Sequence, residues 1–138
     1  MKQLPILFAL MLAVGLAAPL PALGSDEPLA VLDQHFRRLE TGDFDQAREG
    51  IYTAHLKPEE LQAIPHVMQG LHDEITRGGG FDEIKITQKT PCEVECVWIG
   101  LLVLKDGTRK PNAWKMILDD GQWKVAYSRQ MITQHKKK

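Results

Sequence analysis

Cys92 and Cys96 are the two cysteines of this 138-residue chain, four positions apart in TPCEVEC, just ahead of the apolar run VWIGLLVL. Paired thiols serve three chemistries. A zinc site asks for four ligands, often two such pairs or one pair with paired histidines, and only Glu93 and Glu95 stand nearby. Dithiol redox work usually sets Cys-x-x-Cys at a helix start with a depressed thiol pKa; neither the spacing nor the setting fits. A disulfide needs Cα atoms within roughly 4.4 to 6.8 Å, whereas a straight strand holds positions four apart about 13 Å from one another. The pair therefore closes only if residues 93–95 turn the chain. Two strands must reverse there in any case, and in an oxidising compartment the bridge is the expected state.

Histidines are the next reactive groups. His35, His55, His66 and His72 all precede the glycine run at residues 78–80. None is paired at metal-ligand spacing, and His66 and His72 fall well around a helix from each other, so no metal site is expected. A general base needs a partner within hydrogen-bond reach; Tyr52 or Asp73 could serve His35 or His72. His35 borders the apolar stripe of Leu32 and Phe36 and can point inward, although a histidine in that position is more often packed and hydrogen-bonded. Trp98, Trp114 and Trp123 either line an apolar pocket or fill the core.

The elements that must position these groups follow a clear order. Residues 1–24 carry one basic residue, Lys2, an apolar centre and small residues at Ala22 and Gly24, the anatomy of a secretory signal peptide. The mature protein is expected to be periplasmic or secreted, with no stable membrane anchor after cleavage. Residues 25–130 suit one domain with one core. Lysine and arginine number 17 against 18 acidic residues, and the basic segment 131–138 has no aromatic interleaving, which argues against nucleic-acid binding.

Helix signals fill the first half. Asp26 can cap a helix with Pro28 in its first turn, carrying Leu29, Leu32, Phe36 and Leu39 until Gly42 stops it. Asp43 and Gln46 have capping-box spacing. Pro58, Glu59 and Glu60 open a further helix, which Pro65 interrupts before Val67, Met68, Leu71 and Ile75 continue the stripe. Gly78, Gly79 and Gly80 read as a flexible joint. Strands are expected at 83–90, 96–105, 108–118 and 122–128, with Asp106-Gly107 and Asp119-Asp120-Gly121 as turns. Helices followed by a meander mean an α+β domain, the helices on one face of a curved antiparallel sheet of about four strands. Alternation turns Ile84, Ile86, Trp114, Met116, Leu118, Trp123, Val125 and Tyr127 inward and the lysines outward. Residues 96–104 are apolar on both faces, so the back of the sheet is a candidate homodimer surface, and Pro111 marks an irregular or edge portion of its strand.

HFRRLETGDFDQA, KPEEL, LKDG and LDDGQWKVAYS, in this order, resemble the nuclear-transport-factor-2-like superfamily with its cystatin-like cone. The chain is similar in particular to its small secreted or lipoprotein-type bacterial domains of unassigned function. The resemblance spans residues 28–128. It implies a curved sheet around a helix, leaving a conical pocket that some members use for isomerase or dehydratase chemistry with an acid or base among inward strand residues, or a His/Asp pair, beside a tyrosine. None of the assigned inward strand residues is a carboxylate or a histidine, which turns the expectation away from an enzyme and from any cofactor. The expected role is a secreted, non-catalytic domain that binds a small apolar or amphipathic ligand, or an envelope accessory protein. His35, Phe36, Tyr52, His72, Trp98, Trp114, Trp123 and Tyr127 are the candidate pocket-lining residues. An acid/base enzyme and a protein-protein association module are the alternatives.

Overall fold

The computed structural model describes residues 19–136, so residues 1–18 of the expected leader lie outside the described residues. Four helices and four strands follow in the order α1 Pro19–Thr41, α2 Phe44–Glu49, α3 Pro58–Arg77, β1 Phe81–Lys89, β2 Glu95–Leu104, β3 Arg109–Asp119, β4 Gln122–Ala126 and α4 Arg129–Lys136. The strands form one antiparallel meander, β1-β2-β3-β4. Ile51 adds a parallel bridge to Val125 beyond β4. Helices before a sheet, packed on one of its faces, make this an α+β fold.

Two helices run longer than their prolines suggest. α1 is already helical at Pro19, ahead of Asp26, and Pro28 lies inside it. α3 runs unbroken through Pro65. Pro65 is solvent-exposed, so the carbonyl it leaves unpaired one turn earlier can bond water, and burial of Ile64, Val67, Met68, Leu71 and Ile75 on the opposite side outweighs a kink cost of about 3 kcal/mol. The start of α3 is as expected: the Lys57 amide donates to Glu60 Oε1 at 2.8 Å. The start of α2 is not. Asp43 sits at the cap position but makes no side-chain capping bond.

The glycine joint is ordered. The Gly79 amide donates to the Thr76 carbonyl at 3.0 Å and the Gly80 amide to that of Ile75 at 2.9 Å, with Gly79 at φ +84°. This is a left-handed helix cap that satisfies two carbonyls at the end of α3. It fixes where β1 begins, at Phe81. At the far end of the sheet Asp120 and Gly121 both have positive φ and pair Asp119 with Gln122, the two-residue turn whose twist suits a hairpin.

Strand register sorts the faces. Ile84 pairs Leu102 and Ile86 pairs Gly100; Trp98 pairs Trp114 and Cys96 pairs Met116; Val125 pairs Met116 and Trp123 pairs Leu118. These side chains face α1 and α3 and form one core with Leu32, Phe36, Leu39, Ile64, Ile75 and Phe81. Gly100 is required where β1 and β2 approach closely, since a Cβ there would stand 2.2 Å from the Lys85 carbonyl oxygen. Lys110 departs from the outward-lysine rule: it pairs Leu102 on the helix side and bonds Glu74 of α3. At that end the sheet extends past the core, and a half-exposed lysine reaches back to the helix with its head still wet.

Cys92 and Cys96 are bridged, with Cα atoms 4.8 Å apart, across the turn between β1 and β2. The bridge is a staple at one end of the sheet. Residues 131–136, expected as part of a basic tail, belong to α4, which anchors Ile132 in the core and packs along α3.

Candidate functional site

His35 rides on the same buried stripe of α1 as Leu32, Phe36 and Leu39, and its side chain is only 3 % exposed. Tyr127 leaves the end of β4 pointing inward and is equally buried. Their side chains meet: His35 Nε2 and the Tyr127 hydroxyl lie 2.5 Å apart. Phe36 packs edge-on to the imidazole at 5.8 Å between ring centroids and edge-on to Trp114 at 6.2 Å, while Phe81 stacks on Phe36 at 5.9 Å. These side chains form a plug of aromatic rings around one polar pair.

Burial sets the electrostatics of that pair. It lowers the His35 imidazole from its ordinary value to about 4, the Arg38 guanidinium adds to the fall, and the Ala47 carbonyl opposes it. Burial likewise raises the Tyr127 phenol. Both groups are neutral near pH 7, because a charge inside apolar packing costs more than a neutral hydrogen bond returns. Two buried side-chain polar atoms have no hydrogen-bond partner among the described residues, His35 Nδ1 and Trp114 Nε1. The Ala47 carbonyl, which acts on the imidazole, also accepts the Gly50 amide at 3.1 Å, as a carbonyl oxygen with two lone pairs can.

Space for a ligand lies beside this plug. A groove of about 600 Å³ runs between one face of α1 (Val31, Gln34, Arg38), the end of α2 (Gln46, Gly50) and the β3–β4 hairpin (Gln122). Trp123 forms part of its wall and is 8 % exposed. Gly50 connects groove and plug: a Cβ built on it would lie 4.0 Å from His35 Nδ1 and 3.5 Å from the Ala47 carbonyl oxygen, with no other heavy atom within 4 Å. A second groove, of about 550 Å³, follows the start of β3 against α3 and α4.

The other expected pocket residues disperse. His72 Nδ1 donates to the Leu39 carbonyl at 2.7 Å, tying α3 to α1. Tyr52 stacks on His55 at 5.4 Å, and His55 Nε2 donates to the Tyr127 carbonyl at 3.3 Å. Asp73 accepts from Gln69 at 2.9 Å on the surface of α3. The acid/base pairings of His35 or His72 with Tyr52 or Asp73 are thus not formed, because each group is engaged by a nearer partner. Trp98 donates from Nε1 to the Thr90 carbonyl at 3.3 Å beside the disulfide turn. His35, Phe36, Trp114 and Tyr127 come together as one cluster. Gly50, Gln34, Arg38 and Gln122 of the groove were missed, since glutamines and a glycine scattered over three elements carry no periodic signal. Among the described residues no cluster of three or more His, Cys, Asp or Glu side chains could hold a metal ion, and no helix is long and apolar enough to cross a membrane.

Helices, then a four-stranded meander, then a short helix follow one another along the chain, and comparison with a solved structure shows the nuclear-transport-factor-2-like fold. The chain is similar to the crystal structure of a protein from Campylobacter jejuni described as a nuclear-transport-factor-2-like transpeptidase, with a TM-score of 0.61 and 19 % identity. The match covers 73 % of this chain and 98 % of that one. No family model matches the sequence, and no curated protein matches it either.

Proposed function

We propose that the protein is a secreted or periplasmic, non-catalytic binding domain that holds a small amphipathic ligand in the groove between α1, α2 and the β3–β4 hairpin. One observation carries the reading: buried His35 has its Nε2 engaged by the Tyr127 hydroxyl and is walled by Phe36, while the open concave surface lies beside it at Gly50. A general base must reach a substrate proton, and this one reaches a phenol. The leader-like residues 1–24 and the Cys92–Cys96 bridge support an oxidising compartment.

The transpeptidase description of the Campylobacter protein does not transfer on these residues. Acyl transfer needs a nucleophile activated by an adjacent base. Both cysteines here are bridged, His35 Nε2 faces Tyr127, and Ser128 Oγ accepts the Met131 amide at 3.1 Å on the surface.

A second reading rests on a separate observation. The back of the sheet exposes Val97 at 39 % and Ile99 at 45 %, beside Ala113 opposite Ile99, a surface suited to a second copy or another protein. The first part of β3, residues 109–114, which β4 does not reach, is a poorer docking place. Pro111 lacks an amide and the Ala113 amide is taken by Asn112 Oδ1 at 2.8 Å, devices that discourage strand addition.

A thermal-shift screen of small amphipathic molecules tests the first reading. A ligand at 100 times its Kd stabilises by about 2.7 kcal/mol, a shift readily seen. A hit lost in Gln34→Leu/Gln122→Leu supports the groove. A hit indifferent to that variant moves binding elsewhere.

A further inference from the structure

We infer that α4 is a strap over a further pocket, between α3 and the first part of β3, which takes the alkyl chain of an amphipathic molecule when α4 lifts. That pocket shares no residue with the groove of α1, α2 and the β3–β4 hairpin. β4 ends at Ala126, opposite Lys115, so the strand does not cover residues 109–114. The start of α4 covers that side instead. Two depressions border it: one of about 550 Å³ reaches Leu71, Leu102 and Lys110, and one of about 340 Å³ reaches Trp114, Val125 and Tyr127. They meet at Ala113, Ser128 and Met131, so lifting the first turn of α4 joins them into one cavity of the size that holds small ligands. Its floor is apolar. Leu71, Leu102, Trp114 and Tyr127 are at most 5 % exposed, and Ile132, part of the same core, vacates its place when α4 leaves. The charged side chains at the site, Glu74, Lys110 and Lys115, keep contact with solvent, an arrangement that suits an alkyl chain inside and a polar head outside.

The attachment of α4 makes it the part that moves. Tyr127 is fixed twice, by its hydroxyl at His35 Nε2 and by its carbonyl, which accepts from His55 Nε2 at 3.3 Å. The pivot therefore falls after it, at Ser128 and Arg129. Beyond the pivot α4 has eight residues, short of the roughly 12 to 15 at which a helix persists alone. Ile132 is its one buried side chain among those described. Arg129 meets Glu60 at 3.2 Å with 61 % of its own side chain exposed, and exposed ion pairs hold weakly. A segment with so few buried contacts opens while the rest of the domain stays folded, and a ligand that binds only the open form raises its population.

The test uses the full mature chain, its Arg129→Glu and Ile132→Ala variants, and two probes, octanoate and 8-anilinonaphthalene-1-sulfonate. A ligand that needs the open form has its affinity reduced by the fraction of chains that are open, so loosening α4 must tighten binding. Arg129→Glu should bind both probes about twofold to fivefold more tightly, and Ile132→Ala about tenfold or more. Amide hydrogen exchange supplies the second readout: octanoate should speed exchange across residues 129–136 and leave α1 unchanged. Binding that both variants leave unchanged or weaken overturns the strap, and so does slower exchange in α4 on adding octanoate, because α4 would then be a fixed wall or a bystander. Tighter binding accompanied by faster exchange in α1 reports general loosening and overturns it as well. Loss of binding in Gln34→Leu/Gln122→Leu would place the probes in the groove, and no binding to any form would remove the pocket. If Ile132→Ala does not fold, Arg129→Glu and the exchange measurement decide by themselves.

Discussion

Acid should weaken this protein through one residue, by an amount that follows from its burial. In the folded state the His35 imidazole is lowered from 6.5 to about 4, chiefly by burial. Unfolding exposes it, and it then takes a proton near its ordinary value. Between those two values the unfolded chain binds more protons than the folded one, so stability rises with pH across the window. The contribution is fully present above about pH 6.5 and is lost as the pH falls towards 4, and the difference of roughly 2.5 units is worth about 3 kcal/mol. Urea unfolding followed at several pH values between about 4 and 7.5, for the wild type and for His35→Gln, isolates it, because subtracting the two curves removes every group they share. Glutamine retains a hydrogen-bond partner for Tyr127 and does not titrate. The expected difference between the two stabilities climbs by about 3 kcal/mol from the acid to the neutral end. Parallel curves would refute the burial argument and place His35 in contact with solvent.

Tyr127→Phe removes the hydroxyl opposite His35 Nε2 and leaves a second ring nitrogen unpaired; a cost of about 1 to 3 kcal/mol should appear as a fall in Tm of several degrees by calorimetry. Replacing Cys92 and Cys96 together by alanine removes a bridge across a very short loop, so the loss of stability in urea should stay near 2 kcal/mol and the folded spectrum should survive; complete unfolding would contradict the staple. Gly100→Ala sets a methyl group 2.2 Å from the Lys85 carbonyl oxygen, and β1 must separate from β2. That variant should lose more than about 3 kcal/mol or fail to accumulate folded, whereas an alanine at Gly50 should cost almost nothing.

The sheet was the most legible part of the chain, because its signals are local. Asp119-Asp120-Gly121 announces a tight hairpin, TPCEVEC requires a reversal, and alternation from Trp114 to Leu118 assigns the faces with no knowledge of partners. Helix ends were harder to read. Pro28 and Pro65 look like boundaries in sequence, yet tertiary burial carried both helices through them. The glycines after Arg77 suggested looseness, whereas two backbone hydrogen bonds make them a cap. α4 went unseen because Ile132, its one buried side chain among those described, gives no stripe to detect. Within the site, His35 and Tyr127 could each be assigned inward from their own stripe or strand, but their meeting is a contact between residues 92 positions apart, which no local pattern encodes. The groove was invisible for the same reason: Gln34, Gly50 and Gln122 share a cleft only after the hairpin has folded against α1 and α2.

Native mass spectrometry of the protein exported with its own leader, and purified gently without reduction, tests the central claim most directly. The account expects a chain beginning at Ser25, lighter by two hydrogens for the Cys92–Cys96 bridge, and carrying a discrete extra mass that is lost on denaturation and absent from Gln34→Leu/Gln122→Leu. A ligand-free dimer that Val97→Lys splits into monomers would contradict it and move the function from the groove to the back of the sheet.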